Sequence, residues 1–253
     1  MKRYIKSAVM PLSDYNWKDL FELAAEATDT DILKEIASFT TAYAIRDVIL
    51  SNPNTTSEVI DALTANVFND HTGVDSTICK AIARNSKTSK QALSTILGYF
   101  VDKDDYQSEC VLEEIAINPN TPLKLLRRLA KCGYAITSEV AKNPNASIAL
   151  LGQLLRNDPD LAYMVMLNPN VSKEIIVRLS NFKDGDVREE VAKNSKTPID
   201  ILIKLSEDPS YFVRREVAKN SKTPIEILKQ LANDENYYVS DQAAHTLRAF
   251  GEL

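Results

Sequence analysis

One short motif recurs along the chain and constrains its fold more than any other feature. "VAKNSKTPIDIL" begins at Val191, and "VAKNSKTPIEIL" begins at Val217. We call the asparagine of this motif the anchor. Aliphatic residues stand three positions before each anchor and eight and eleven positions after it. The anchors are Asn52, Asn85, Asn118, Asn143, Asn168, Asn194 and Asn220. Seven copies that agree in three columns predict a tandem repeat.

Each repeat is typical of two helical segments joined by a fixed turn. A threonine follows most anchors by three residues and is predicted to cap the next helix, with proline at the first helical position in three repeats. The helix then carries aliphatic residues on one face, as at Leu125, Leu126 and Leu129. A segment such as "YFVRREVAKN" leads to the following anchor. The anchor is interpreted as a turn-building residue whose amide bonds backbone groups and tolerates a left-handed conformation.

The glycine content and the modified ends complete the prediction of the fold. Six glycines in 253 residues are few against a usual frequency of about 7%, which speaks against a turn-rich β protein. We predict an all-α solenoid of about eight tandem two-helix repeats, without β-sheet, as one domain over residues 1–253. Residues 1–24 form a capping helix region, 25–232 the repeats and 233–253 a C-terminal cap, because terminal repeats must cover exposed apolar faces. The first two repeats are longer, with surface loops or helix extensions expected near 67–75 and 100–107.

The repeat units resemble the leucine-rich repeat variant family. The resemblance covers roughly residues 25–248 and rests on units such as "LAKCGYAITSEVAKNPNASIALLGQLL" and "DPSYFVRREVAKNSKTPIEILKQLA". It implies a right-handed superhelix of alternating α-helices and short 3₁₀ helices. Members of that family can carry an iron–sulfur cluster on a separate cysteine-rich segment. Cys79, Cys110 and Cys132 contain no C-x₂-C pair, so we expect neither this cluster nor another cofactor.

The sequence gives no pattern typical of catalysis. It contains no nucleophile triad, no metal-binding motif and no phosphate-binding loop, and neither His71 nor His245 stands in a recognisable motif. The acidic run from Asp102 to Asp105 lacks the spaced ligands and the glycine of a calcium loop. The cysteines are typical of buried thiols that act as small apolar residues. We therefore expect a protein that is not an enzyme.

The compartment is predicted from the N-terminus and the cysteines. The first apolar stretch is interrupted by Lys6 and Ser7 and ends at Pro11, which is too short for a secretory signal. No window approaches the roughly 18 apolar residues of a membrane-spanning helix. An odd number of widely spaced cysteines favours a reducing compartment. We expect a cytoplasmic location and no membrane partner.

Two binding functions remain open. Solenoids present extended surfaces that hold peptides or partner proteins, so the leading prediction is a protein-interaction scaffold. The alternative is nucleic-acid binding through basic residues that recur near the anchors, although acidic residues such as Glu189, Glu190 and Glu216 stand beside them. The formal net charge of −5 provides no global attraction for a polyanion. The candidate binding surface comprises Arg84, Lys87, Lys142, Arg188, Lys193, Lys196, Arg214, Lys219 and Lys222.

Overall fold

The computed structural model describes residues 12–70 and 73–252. Within these ranges the chain forms seventeen α-helices and two short 3₁₀ helices, and it contains no β-strand. This confirms the predicted all-α class. No helix in these ranges combines the length and the apolar character needed to cross a bilayer.

The chain divides into two compact units, Met1–Asn145 and Ala146–Leu253. The organisation of residues 1–253 as one solenoid domain stays a prediction.

The described residues of unit 1 form one 3₁₀ helix and nine α-helices. Helices of the same kind pack on each other at alternate positions along the chain: α1 on α3, α3 on α5, α5 on α7 and α7 on α9, with α2 on α4. The bounds are Leu12–Asp14 (3₁₀), α1 Trp17–Glu26, α2 Thr30–Phe39, α3 Tyr43–Ser51, α4 Ser57–Asn69, α5 Ser76–Arg84, α6 Lys90–Phe100, α7 Tyr106–Ile117, α8 Leu123–Leu129 and α9 Tyr134–Lys142.

Unit 2 repeats the same arrangement. Helix α11 packs on α13, α13 on α15 and α15 on α17. The bounds are α10 Ile148–Asn157, Pro159–Leu161 (3₁₀), α11 Ala162–Met166, α12 Lys173–Leu179, α13 Gly185–Lys193, α14 Ile199–Leu205, α15 Tyr211–Lys219, α16 Ile225–Leu231 and α17 Tyr237–Ala249. Helices packed in chain order, each touching its neighbours, form the α-solenoid repeat that the sequence predicts.

We call the helices that follow an anchor first helices and those that precede an anchor second helices. The first helices are α4, α6, α8, α10, α12, α14 and α16, and the second helices are α3, α5, α7, α9, α11, α13, α15 and, by its place in the last repeat, α17. The three aliphatic columns form the core between them. Every member of the columns is buried, from Ile49, Ile60 and Leu63 in unit 1 to Val217, Leu228 and Leu231 in unit 2.

The extra residues of the first two long repeats lengthen helices as well as loops. Among the helices that follow an anchor, α4 has 13 residues against 7 in α14. Among those that precede an anchor, α7 has 12 against 9 in α13. The prediction of surface loops or helix extensions near 67–75 and 100–107 is thus met by both. His71, in the first of these segments, lies outside the described residues.

The anchors are structural and bond backbone groups of their own turn, as predicted, and they also reach the preceding repeat. Asn118 accepts the Asn120 backbone N–H at Oδ1, at 2.8 Å. Its Nδ2 donates to the carbonyls of Ala83, at 2.6 Å, and Asn85, at 2.9 Å, in the preceding repeat. The left-handed conformation is wrong: Asn118 has φ −60°, and no described residue other than glycine has a positive φ. Each such amide therefore binds one repeat to the previous one.

The last repeat keeps this bond with a different residue. Thr246 stands at the anchor position of the last repeat, within α17, and its Oγ1 donates to the Ala218 carbonyl at 2.8 Å. Asn220, the preceding anchor, makes the equivalent bond to the Ala192 carbonyl at 2.7 Å. The hydroxyl replaces the amide where no further repeat follows the pattern.

The threonines after the anchors are not helix caps, so that prediction is wrong. Thr88 is fully buried, and its hydroxyl donates backward to the carbonyl of Ile82, near the end of α5, at 2.5 Å. Thr223 donates in the same way to Val217 at 2.6 Å. The cap is the next residue, a serine such as Ser89 or a proline such as Pro224. The buried hydroxyl gives a second hydrogen bond to a carbonyl in the last turn of the second helix, which for Ile82 also accepts the Asn85 N–H at 3.1 Å.

Candidate binding surface

The basic residues of the predicted binding surface occupy three positions relative to the anchor. Arg188 and Arg214 stand six residues before it. Lys87, Lys196 and Lys222 stand two residues after it, and Arg84, Lys142, Lys193 and Lys219 stand directly before it. The structure gives each position its own set of contacts.

The two arginines six residues before an anchor form partly buried ion pairs with the next repeat. Arg188 donates from Nε to Asp208 Oδ2 at 2.6 Å and from Nη2 to Oδ1 at 2.9 Å. Arg214 makes the same two bonds to Asp234 at 2.7 and 2.9 Å. Such two-point pairs fix both side chains. These guanidinium groups are therefore occupied inside unit 2.

The aspartates of these pairs bind more than the arginines. Asp208 Oδ1 accepts the Ser210 N–H at 2.9 Å, and Asp234 Oδ1 accepts the Asn236 N–H at 2.8 Å. The hydrogen bond from Arg214 lowers the pKa of Asp234 below its ordinary value, against the effect of burial. Burial alone would raise the pKa of Asp208, but the bonds from Arg188 and the backbone N–H outweigh it and lower that pKa.

Sequence reasoning missed these aspartates, although a signal was present. Asp208 and Asp234 are separated by the same interval as Arg188 and Arg214, so they form a fourth repeating column. In unit 1 a related pair joins Arg46 Nη2 to an oxygen of Asp70 at 3.2 Å, with both side chains buried. Arginine at this position is thus a structural residue in both units.

The residues two after an anchor connect stacked turns. Lys87 Nζ donates to the carbonyls of Pro53, at 2.8 Å, and Thr55, at 2.9 Å, and Lys196 Nζ donates to Pro169 at 2.8 Å. Where asparagine replaces lysine, as at Asn120, its amide donates to the Thr88 carbonyl at 3.1 Å. Both residue types supply a hydrogen-bond donor, which explains why either one can occupy this position. Lys222 is exposed and makes no side-chain hydrogen bond within the described part of the chain.

The basic residues directly before an anchor pair with carboxylates; Arg84, Lys193 and Lys219 are exposed and Lys142 is half-buried. Lys193 Nζ lies 3.3 Å from Glu190 Oε1, and Lys219 Nζ lies 3.6 Å from Glu216 Oε2. In unit 1, Lys142 pairs with Glu139 and Arg84 with Glu114. The acidic partners belong to the same or the adjacent second helix. Acidic side chains therefore interleave the basic column.

The second helices also expose aromatic side chains, which sequence reasoning did not single out. The sequence does contain a sign of them, because most segments that precede an anchor begin with an aromatic residue. Helix α1, which packs on α3, adds a tryptophan. In unit 1 the exposed aromatic residues of these helices are Trp17, Tyr43, Tyr106 and Tyr134. In unit 2 they are Tyr163, Phe212, Tyr237 and Tyr238.

Some carboxylates of the second helices lie close to one another. Burial raises the pKa of Glu189, and the nearby Glu216 carboxylate adds to this against the opposing charge of Arg215. In unit 1, burial raises the pKa of Glu113, and the carboxylates of Glu109 and Glu139 raise it further. Carboxylates therefore crowd one another at Glu189 of unit 2 and at Glu113 of unit 1.

The thiols and histidines have no arrangement that points to catalysis. Burial raises the pKa of the Cys79 thiol to about 12, so the reactive thiolate is scarce near neutral pH. Cys110 and Cys132 are free and half-buried. His245 is exposed on α17. Among the residues that the structure describes, no group of three or more His, Cys, Asp and Glu side chains is placed to hold a metal ion.

Repeated helix pairs with buried aliphatic columns and amide bonds between neighbours define the class of α-helical solenoid repeat proteins. A solved structure of the same fold is a leucine-rich repeat variant with a novel repetitive structural motif. It superposes with a TM-score of 0.54 over 91% of this chain and 83% of that chain, at 19% sequence identity. This confirms, at the level of the fold, the resemblance seen in the sequence.

Other comparisons add little. An engineered protein covers 91% of this chain and 72% of its own length at 16% identity, but its TM-score of 0.31 supports no argument. The sequence matches no protein-family model and no curated protein.

Proposed function

We propose that this chain is a non-catalytic, cytoplasmic scaffold that binds a partner protein or peptide on the surface of its second helices. The observation that carries the proposal is the set of exposed aromatic side chains on these helices, including Phe212 and Tyr238 in unit 2. Tyrosine, tryptophan and phenylalanine are enriched at protein interfaces and supply much of their binding energy.

The aromatic residues of α15 and α17 form a connected patch. The rings of Tyr211 and Phe212 stack with centroids 4.1 Å apart, and those of Tyr211 and Tyr238 lie 6.4 Å apart. Tyr237 contacts Tyr238 edge-on at 5.9 Å. A contiguous exposed aromatic patch is unusual for a surface that only faces water and is typical of an interaction site.

The contacts of the basic column favour this function over nucleic-acid binding. Arg188 and Arg214 are held by Asp208 and Asp234. Four further basic residues have a carboxylate partner, and Lys87 and Lys196 bond backbone carbonyls. A polyanion would need to displace those partners and approach the unpaired acids of the same helices. The nucleic-acid alternative therefore has less support, and it is tested separately below.

The test of the scaffold compares two pairs of exposed apolar residues in unit 2. Phe212→Ser with Tyr238→Ser removes rings from the second-helix surface, whereas Ile199→Ser with Ile203→Ser changes exposed residues of the first helix α14. Each tagged protein is incubated with an extract of the organism that encodes the chain, and bound proteins are identified by mass spectrometry. We expect a specific partner on the parent and on the α14 variant that is lost from the aromatic variant.

Equal recovery of that partner by the parent and the aromatic variant would overturn the proposed surface. Recovery of no specific partner by the parent would overturn the scaffold itself. Thermal unfolding of both double variants serves as the folding control, because exposed positions contribute little to stability.

The nucleic-acid alternative is tested by titrating mixed single- and double-stranded oligonucleotides at low salt. The variant carries Lys193→Glu, Lys196→Glu, Lys219→Glu and Lys222→Glu. We expect no micromolar binding to the parent. Binding that weakens with a logarithmic salt slope of about −0.7 to −0.9 per neutralised phosphate, and that the variant loses, would establish the alternative instead.

A further inference from the structure

We infer that the face of α11 and α13 in unit 2 is a docking site for an extended peptide segment rich in arginine and lysine, with one cationic side chain seated between the two helices. This inference rests on the proposed function and names the chemistry of the partner. The site is a groove of about 350 Å³ whose lining includes Asp160, Tyr163, Asp186, Val187, Glu189 and Glu190.

The groove is an exposed helix face with an aromatic wall. Tyr163 of α11 keeps 44% of its surface exposed and stands beside a floor formed by Ala162 and Val187, which are both buried. An aliphatic stem of lysine or arginine packs well on such a surface while its charged head stays near water. The shape thus suits a long side chain with an apolar stem.

The charge of the groove selects a cation. Asp160, Asp186 and Glu189 form no ion pair and accept no side-chain hydrogen bond among the described residues, whereas Glu190 pairs with Lys193. The cations beside the groove include Lys193, which Glu190 holds, and Arg215 of α15, which pairs with Glu216 at 3.0 Å and offsets part of the charge at Glu189. Asp160, Asp186 and Glu189 have no ion-pair partner of their own among the described residues, and a cationic segment supplies one.

The chain itself shows that the aromatic wall accepts a cation. Lys193 Nζ lies 5.9 Å from the centroid of the Tyr163 ring while it pairs with Glu190. A cation within about 6 Å of a ring face is attracted by the quadrupole of the ring. An incoming guanidinium makes the same two kinds of contact, and planar guanidinium groups suit both carboxylates and aromatic faces better than an ammonium does.

The adjacent helices extend the site. Helix α13 packs on α15, and α15 packs on α17, so the aromatic patch of Tyr211, Phe212, Tyr237 and Tyr238 continues the same series of second helices. An extended segment seated in the groove can therefore lay further side chains on the aromatic patch, while its charge is met by the carboxylates of the groove. Charge complementarity with Asp160, Asp186 and Glu189 identifies the occupant as a basic segment of a protein.

The inference is tested with fluorescein-labelled nona-arginine, measured by fluorescence anisotropy, first at low salt and then at about 0.15 M salt, where the screening length is about 8 Å. The variant Asp186→Asn with Glu189→Gln removes two groove charges and keeps the shapes. The matched control, Glu207→Gln with Glu226→Gln, makes the same change of charge at exposed positions of unit 2 outside the groove. Labelled nona-glutamate is the charge-reversed probe.

We expect binding of nona-arginine to the parent and none of nona-glutamate. The groove variant should bind roughly tenfold more weakly, because it loses close charge pairs, and the control should stay within about twofold of the parent. Tyr163→Leu should also weaken binding, since it removes the aromatic face. Equal weakening in groove and control variants, or unchanged binding in the groove variant, would overturn the site.

The failure of this inference can be separated from the failure of the scaffold. If the parent does not bind nona-arginine, the basic partner is excluded, while loss of a partner through Phe212→Ser with Tyr238→Ser still supports the scaffold. If that aromatic pair is without effect but the groove charges matter, the docking site stands on α11 and α13 alone.

Discussion

The anchor asparagine uses both ends of its amide, one as a hydrogen-bond acceptor and the other as a donor. Its oxygen accepts an N–H two residues ahead in its own turn, and its nitrogen donates to the preceding repeat. For Asn220 these are the Lys222 N–H at 3.0 Å and the Ala192 carbonyl at 2.7 Å. Recurrence in the sequence predicts the structural role. It does not predict the carbonyl partner, because that partner stands 28 positions earlier and is identified only when the repeats stack.

Replacement of this amide should destabilise unit 2. Asn220→Ala leaves the buried Ala192 carbonyl and the Lys222 N–H without their partner, so we expect the free energy of unfolding to fall by about 1–3 kcal/mol. The measurement is the urea midpoint of helical circular dichroism. Asn157→Ala, at the exposed end of α10, is the control and should change stability by no more than about 0.5 kcal/mol. Equal midpoints for both variants would show that the amide bond contributes nothing.

The Arg214–Asp234 pair should make stability depend on acid pH. The pKa of Asp234 is lowered in the folded state, first by its hydrogen bond from Arg214. Its contribution is therefore complete above the unfolded pKa, about 3.9, and is lost as the pH falls through the lower folded value. Asp234→Asn should cost about 1.5–3 kcal/mol near neutral pH, in line with hydrogen bonds to charged groups.

The check is urea unfolding of the parent and of Asp234→Asn at a series of pH values. The difference between the two proteins should be largest near pH 7 and should shrink below about pH 4. Glu235→Gln removes a neighbouring charge that makes no ion pair in the described structure and is the control. A difference that stays constant down to about pH 3 would mean that the pair does not titrate as its geometry requires.

At the scale of the helix, period and spacing predicted which segments are helical but not how they begin. The aliphatic columns identify both helices of each repeat because only a buried face needs that regularity. The cap was misplaced by one residue, since a threonine before a proline resembles an ordinary N-cap. Burial decides the matter: Thr197 is fully buried, so its hydroxyl serves the carbonyl of Val191 in the helix behind it.

The threonine hydroxyl should therefore matter to the end of one helix more than to the start of the next. Thr88→Val keeps the shape but removes the buried hydroxyl bond to the Ile82 carbonyl, which then accepts only the Asn85 N–H at 3.1 Å, and we expect a loss of about 0.5–1.5 kcal/mol. Thr88→Ser retains the hydroxyl and should recover most of it. Circular dichroism during urea unfolding gives both values. A valine variant as stable as the parent would show that the Thr88 hydroxyl does not stabilise the fold and that the side chain only fills space.

At the scale of the molecule, the sequence predicted the repeat and the position of the basic column, but not the state of its charges. Lysines at a fixed offset have the same pattern whether they bind a ligand or a carboxylate of a neighbouring helix. Their carboxylate partners recur at a different offset from the anchor: Glu190 and Glu216 each stand four residues before one. Offsets along the chain do not measure distances between stacked helices, so the pairing emerges only from the packing.

Packing between neighbours alone should make the response to a mutation local. In both units the substantial helix contacts join elements that are close in chain order, and such arrays gain stability from each repeat and from its interfaces with the adjacent repeats. The Asn220→Ala change weakens the interface between the ends of α13 and α15. We expect amide hydrogen exchange to accelerate in α13, α15 and α17 of unit 2 and to stay unchanged in α2 and α4 of unit 1.

The expected acceleration follows from the energy of the lost bonds. A cost of about 1–3 kcal/mol corresponds to exchange that is roughly 5- to 150-fold faster for amides that open through this interface. Exchange monitored by mass spectrometry resolves the two groups of helices in one experiment, and Asn157→Ala again serves as the control. Equal acceleration in α2 and α4 would show that the chain opens as one cooperative body, in which a defect at one repeat is felt everywhere. Acceleration confined to unit 2 means that the bonds between adjacent repeats set the range over which structural change spreads, so that a partner docked on α11 and α13 stabilises mainly the repeats it touches.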